Sequence, residues 1–140
     1  MFKLTIGLLT AIAALIIHNV GGIIEGRIAP VTSALEISAP TPYPPPSYRT
    51  KWRGKAKKLR NCRFVRLEWY LGPRNGNHVQ VQIEVTDEPR IRETGEIEWE
   101  GIVVSLPPDE VLQNSHADFV HSCPYRPWLV RTRVFDSPEV

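Results

Sequence analysis

The sequence predicts an all-β domain preceded by an N-terminal transmembrane helix. Two observations lead to this prediction: an uncharged, mostly apolar run from Leu4 to Ile24, and a later succession of short segments in which apolar and polar residues alternate. Together they divide the chain into a membrane anchor (residues 1–30), an extended proline-rich stalk or edge strand (31–46) and a β-sandwich domain (47–140).

The run from Leu4 to Ile24 is 21 residues long. As a helix rising about 1.5 Å per residue, it would cover the roughly 30 Å hydrocarbon core of a bilayer. We therefore expect the lipid bilayer to be a partner of this segment. A cleaved signal peptide, followed by secretion, is the main alternative, and a buried helix of a soluble protein is a third. No Ala-x-Ala cleavage site ends the apolar core, which favours an uncleaved anchor.

The charges beside this run favour a cytoplasmic N-terminus and a C-terminal domain outside, in the periplasm. Lys3 and the α-amine precede the run, whereas Arg27 follows it and is opposed by Glu25. The dense basic cluster begins only at Arg49, beyond the zone in which the positive-inside bias is counted. Within the run, the Gly21-Gly22 pair would allow close contact with another helix, although it does not have the GxxxG spacing.

A proline-rich segment follows the anchor. The eight residues from Ala39 to Pro46 contain five prolines, which favour an extended polyproline conformation and exclude a central strand. This segment is expected to be a semi-rigid spacer, and residues 31–38 before it are an alternative edge strand of the domain.

The strongest strand pattern surrounds a turn signal. Apolar residues alternate with polar ones from Val65 to Leu71 and again from Val79 to Val85, and Asn75-Gly76 lies between the two segments. Asn-Gly is a strong hairpin-turn dipeptide because both positions tolerate positive φ. These segments are therefore predicted to form one hairpin.

Three further strands are predicted downstream. Glu96–Leu106 alternates and then becomes continuously apolar, Ala117–Cys123 alternates, and Trp128–Val134 forms the last strand, while Asp109–Asn114 could hold one helical turn. Short strands at this spacing indicate an immunoglobulin-like β-sandwich, with a small barrel as the alternative. The predicted core consists of Val65, Leu67, Trp69, Val81, Ile83, Trp99, Phe119 and Val130.

The chain has two cysteines, Cys62 and Cys123, each beside a predicted strand. Outside the cytoplasm they would form a structural disulfide. Free buried thiols are one alternative, and a metal site with His116 or His121 is another, although no C-x-x-C spacing is present.

No catalytic motif is recognisable. The sequence lacks G-x-S-x-G, a phosphate-binding P-loop and H-E-x-x-H. The carboxylates of Glu96, Glu98 and Glu100 would share one strand face, which is more typical of a solvated surface than of acid–base catalysis. No catalytic residue, metal or cofactor is therefore predicted.

Charge is distributed unevenly. Residues 49–66 carry nine basic residues and no acid, whereas residues 84–110 carry nine acids. The net charge of +2 argues against a broadly cationic nucleic-acid binder. The two stripes would either neutralise each other or leave a surface for an anionic lipid or glycan, whose candidate residues are Arg49, Lys51, Arg53, Lys55, Lys57, Lys58 and Arg60.

The layout resembles small membrane-anchored proteins encoded by bacteriophages and prophages, which carry a C-terminal β-sandwich domain. The residues that carry the resemblance are Leu59–Cys62, the turn at Asn75-Gly76 and Cys123–Val130. It implies a non-enzymatic binding or structural module at the bacterial envelope. An envelope-acting enzyme or lysis accessory protein, and a virion structural component, are the alternatives.

Overall fold

The computed structural model describes residues 2–43, 49–73, 76–85 and 93–138. It consists of an apolar N-terminal helix and a mostly β domain with two four-stranded antiparallel sheets, ordered β1-β2-β6-β5 (the first sheet) and β4-β3-β7-β8 (the second sheet). The elements are α1 (Phe2–Ile28), β1 (Glu36–Pro42), β2 (Thr50–Lys58), β3 (Arg63–Leu71), β4 (Val79–Val81), β5 (Ile83–Val85), β6 (Gly95–Val104), α2 (Pro108–Gln113), β7 (Ser115–Ser122) and β8 (Leu129–Asp136).

Aromatic side chains join the two sheets in the core. The Trp52 ring of β2 lies 5.1 Å from the Trp69 ring of β3, and the Trp99 ring of β6 lies 5.0 Å from the Phe119 ring of β7. All four side chains are at most 3% exposed. Burying such large apolar surfaces is the main stabilising contribution to a domain of this size.

The prediction for Val65 was wrong. This side chain is 37% exposed, while Phe64 packs against the core with its ring 5.6 Å from Phe119. Phe64 pairs with His121 and Arg66 pairs with Val120, so Val65 is the additional residue of a β-bulge. A bulge shifts the alternation of faces by one residue. Leu67, Trp69, Phe119 and Val130 are buried as expected, and Val81 and Ile83 are partly buried against the core.

The predicted hairpin is correct for only half of its second strand. Val79–Val81 pairs with β3, but Ile83–Val85 crosses to the first sheet and pairs with β6. The chain changes sheets at Gln82, between two segments that share one alternating pattern. Asn75 of the predicted turn lies outside the described residues, as do Pro44–Pro46.

Part of the segment between the anchor and the domain is an edge strand. β1 pairs with β2, placing Glu36 opposite Lys55 and Pro42 opposite Thr50. Proline is tolerated there because an edge strand does not need every N–H for the ladder.

The helix α1 continues from the apolar run into the domain. Residues Lys3–Ile28 are long and apolar enough to cross a membrane, and residues 3–20 are exposed in the structure. The last part of α1 packs along β8, the edge strand of the second sheet. Residues 31–35 cover the next part of the same edge, where the Val31 N–H donates to Thr132 Oγ1 (3.1 Å) and the Leu35 N–H to the Val134 carbonyl (2.7 Å).

Candidate functional site

Two glycines allow α1 to touch the main chain of β8. A Cβ atom on Gly22 would lie 1.8 Å from the Leu129 carbonyl oxygen, and one on Gly26 would lie 1.8 Å from the Arg131 carbonyl oxygen. Only the Cα hydrogens of glycine fit at these distances. The sequence signal for this contact is the spacing of four residues between Gly22 and Gly26. The adjacent pair Gly21-Gly22 does not have this spacing.

The spacing of the two contacts explains why α1 runs alongside β8 in the same direction. Four helical residues rise about 6 Å, and two strand residues rise about 6.6 Å. Consecutive contacts therefore stay in register when α1 and β8 run in the same direction. As a consequence, α1 closes much of an exposed sheet edge, which would otherwise be free to pair with another chain.

A partly buried carboxylate strengthens this contact. Glu25, whose side chain is 13% exposed, accepts hydrogen bonds from Arg60 (2.7 Å), the indole N–H of Trp128 (2.7 Å) and Arg126 Nε (3.2 Å). Arg60 also donates to the Ala29 carbonyl at the end of the helix (2.8 Å). Burial raises the pKa of Glu25, but these hydrogen bonds lower it to below its ordinary value.

The disulfide lies next to this ion-pair cluster. Cys62 and Cys123 are bonded, with their Cα atoms 4.4 Å apart, immediately beyond the paired residues Arg63 and Ser122 of β3 and β7. The bond ties the loop that carries Arg60 to the loop that carries Arg126 and Trp128. Within the described ranges, no group of three His, Cys, Asp or Glu side chains could hold a metal ion.

The predicted basic surface is divided among different environments. Lys51, Arg53, Lys55 and Lys57 share the exposed face of β2, but Lys55 Nζ lies 3.6 Å from Glu96 and 3.7 Å from Glu98. The three other candidates face elsewhere: Arg49 pairs with Glu84 at 2.9 Å, Arg60 pairs with Glu25, and Lys58 is 2% exposed.

A polar pocket of about 270 Å³ lies between α1 and the outer face of the second sheet, and we call it the helix–sheet pocket. The lining residues of the pocket are Ile23, Arg27, Tyr70, His78, His116, Asp118, Arg131 and Arg133. Those in β3, β7 and β8 lie on the outer face of the sheet, because side chains alternate between the two faces of a strand and the neighbouring residues point into the core.

Three rings form one wall of this pocket. Tyr70 stacks on His116 with ring centroids 5.1 Å apart, and the His78 ring lies 5.3 Å from that of His116. His116 Nδ1 is 3.0 Å from the Gly72 carbonyl oxygen, so this nitrogen carries the proton. Burial and the positive charge of Arg133 lower the pKa of His116, so the imidazole is neutral at pH 7.

Two ion pairs hold the lining side chains of Arg131 and Arg133. Glu68, 5% exposed, accepts hydrogen bonds from Arg131, from Arg66 Nε (2.6 Å) and from the Tyr70 hydroxyl (2.6 Å). Burial raises the pKa of Glu68, and these donors lower it to below its ordinary value. Asp118 accepts a hydrogen bond from Arg133 Nε on the neighbouring strand.

Of the eight lining residues, the sequence indicated a ligand-binding role only for His116, as a possible metal ligand together with the cysteines. The lining residues come from segments up to about a hundred residues apart, and the available signal was weak: polar side chains at the outward positions of predicted strands. Ser, Thr, Cys and Lys do not occur in the lining, so the described pocket offers no such nucleophile.

No protein-family model, curated protein or solved structure matches this chain.

Proposed function

We propose that the protein is a membrane-anchored, non-enzymatic binding module that acts at the bacterial envelope, with its N-terminus in the cytoplasm and its β domain outside. The observation that carries this proposal is the contact of Gly22 and Gly26 with β8. It makes the end of α1 part of the folded domain and leaves residues 3–20 exposed. Those 18 residues would span about 27 Å as a helix, close to the hydrocarbon thickness of a bilayer.

The same contact argues against the alternative of a cleaved and secreted protein. Signal cleavage after the apolar core would remove Gly22 and the rest of the helix that lies against Leu129 of β8. It would thereby expose part of a sheet edge and leave Glu25, which binds Arg60 and Trp128, at the new N-terminus without the helix that positions it.

The end of the domain from which α1 emerges suits a membrane surface. Because α1 and β8 run in the same direction, the helix leaves the domain on the side of the loop 123–128. There Tyr125 is 99% exposed, and Arg126 and Trp128 flank the helix. Aromatic and arginine side chains are the typical anchors of the membrane–water interface.

The finer fold assignment is immunoglobulin-like. The orders β1-β2-β6-β5 and β4-β3-β7-β8 correspond to A-B-E-D and C′-C-F-G, and the buried Trp69 lies on the strand equivalent to C. The disulfide differs from that pattern, because it joins the ends of neighbouring strands instead of crossing between the sheets. A phage or prophage origin, suggested by the overall layout, is part of the same proposal.

Fractionation and labelling would test this proposal. We expect the full-length 15.9 kDa chain in the membrane fraction after alkaline carbonate extraction. A C-terminal reporter that is active only outside the cytoplasm should be active. Leu9→Arg, in the exposed part of α1, should release the chain from the membrane fraction, whereas Lys51→Gln should not. A shortened soluble product would contradict the proposal.

A second candidate function, an envelope-acting hydrolase, is favoured by one observation. Neutral His116 lies in a polar pocket with Asp118, and a neutral imidazole can act as a general base toward water. Hydrolysis of envelope material that disappears in His116→Gln, with membrane insertion unchanged, would favour this candidate over the binding module.

A further inference from the structure

We propose that the helix–sheet pocket binds a phosphate group, a specification that rests on the binding module proposed above. The first argument is the charge of its lining. The lining holds three guanidinium groups, those of Arg27, Arg131 and Arg133, and one carboxylate, that of Asp118. Arg131 is paired with Glu68, and Arg133 is paired with Asp118 and lies 3.7 Å from Asp136. The positive charge left without a partner among the described residues is therefore that of Arg27.

The second argument is that donors remain available. Arg27 forms no hydrogen bond or ion pair with the residues that the structure describes. Arg133 Nη1 is buried and has no hydrogen-bond partner among them, although it lies 3.7 Å from the Asp136 carboxylate. A buried guanidinium N–H without an acceptor is costly, and a phosphate oxygen would satisfy it.

The basic face of β2 provides a contrast within the same domain. There Lys55 lies near both Glu96 and Glu98, and Glu36 of β1 is opposite Lys55 in the strand register. Carboxylates accompany the basic side chains in both places, as Glu68 and Asp118 do in the pocket, so the contrast lies in the shape of the two surfaces. The arginines of the helix–sheet pocket have a concave, partly enclosed position, where charges are screened less by solvent.

The distance of the pocket from the hydrocarbon layer decides which sources of phosphate can reach it. If the hydrocarbon layer ends near Val20, Ile23 lies roughly 5 Å and Arg27 roughly 10 Å further along the helix. The headgroup layer of one leaflet is roughly 5–7 Å thick. The Ile23 end of the pocket therefore lies at the depth of the phospholipid headgroups, whereas Arg27 lies beyond them, on the side open to a soluble phosphate compound.

Binding can be measured on the full chain in nanodiscs, with imidazole NMR signals as the readout. The first arm uses discs of an uncharged galactolipid, which contains no phosphate, titrated with inorganic phosphate. The second arm uses discs that contain phosphatidylglycerol, without soluble phosphate. Bound phosphate should offset the charge of Arg133 and shift the titration of His116 to higher pH. A response in the first arm identifies soluble phosphate, and a response only in the second identifies the lipid.

The variants Arg27→Gln and Arg133→Gln should each weaken binding about tenfold or more, because each removes a charge-assisted donor. Arg53→Gln, which changes an exposed arginine on the other sheet, is the matched control and should leave binding unchanged.

Two outcomes would overturn the phosphate site: no His116 response in either arm, or equal weakening by Arg53→Gln and Arg27→Gln. Insertion into the discs is scored separately by carbonate extraction. A chain that inserts but shows no response therefore contradicts the phosphate site alone, whereas failure to insert contradicts the membrane-anchored module.

Discussion

Gly22 of α1 lies against the main chain of Leu129 in β8, so closely that a Cβ atom at position 22 would lie 1.8 Å from the Leu129 carbonyl oxygen. A helix from the apolar run and the last strand of the domain therefore meet backbone to backbone.

Gly22→Ala should undock α1 from β8, because the added methyl group cannot fit without separating the two elements. We expect a loss of about 1–3 kcal/mol in folding stability. Acrylamide quenching of tryptophan fluorescence should increase, since Trp128 contacts Gly21 and the other three tryptophans are at most 3% exposed. Gly7→Ala is the control, because no atom lies within 4 Å of its Cβ position. Equal quenching of the two variants would contradict the close contact.

Glu25→Gln should weaken the same junction by removing the charge that Arg60, Arg126 and Trp128 share. Replacing a charged acceptor typically costs about 1.5–3 kcal/mol per hydrogen bond. Thermal unfolding in micelles would measure the loss, and Glu36→Gln, an exposed carboxylate on β1, is the control.

The pH dependence of this effect has a definite sign. The pKa of Glu25 is lower in the folded protein than its ordinary value of 4.5. Its stabilising contribution is therefore present above that value and is lost as the pH falls below it. Below pH 4.5, Glu25→Gln should lose less folding stability than the wild type as the pH falls. An identical slope of stability against pH in the two proteins would argue against a stabilising role of the Glu25 charge.

Cys62 and Cys123 should resist alkylation in the native protein until a reductant is added. Their sequence separation of 61 residues gives a stabilisation of about 4 kcal/mol in the chain-entropy model. Cys62→Ala should accordingly lower the melting temperature by about 10–20 °C. Ser122→Ala, in the adjacent strand position, provides a control without loss of the bond. Rapid alkylation of the untreated protein would contradict the bridge.

His121→Phe should reduce the sensitivity of the domain to mild acid. Burial, and secondarily the charge of Lys58, lowers the pKa of His121 from 6.5 to about 4. The unfolded chain thus binds more protons between these values, and stability falls as the pH drops through this window, by about 3 kcal/mol for such a shift. Unfolding measured at pH 7 and pH 4 should differ less in the variant. His78→Gln, at an exposed position, should retain the wild-type difference.

The strands that could be predicted from the sequence are those with apolar side chains on alternate positions. β3, β6, β7 and β8 have Val, Leu, Ile, Trp or Phe there. β2 was missed because its inward positions include Gly54 and Ala56, whose small side chains give little hydrophobic signal between the lysines. Gly54 is small because the Trp52 ring and Leu35 occupy the space beside it.

Tertiary contacts determined the features that alternation could not predict. The bulge at Val65 and the crossing at Gln82 depend on which strand pairs with which. The helix–sheet pocket likewise depends on α1 lying beside β8, which brings Arg27 to Arg131 and Arg133. In the sequence Arg27 is about a hundred residues from Arg131 and Arg133, so these arginines form no local cluster like the one at residues 49–60.

The docking of α1 on β8 also sets an order of events during biosynthesis. The ribosome makes the helix first and β8 last among the strands, so the segment that completes the domain edge must wait until translation of the other strands has finished. Until then, the nascent domain has an incomplete second sheet and a helix end whose glycines and Glu25 have no partner strand. The final closure of the fold is thus coupled to synthesis of the C-terminal segment, and a chain stalled before Leu129 would keep an open sheet edge that proteases can attack.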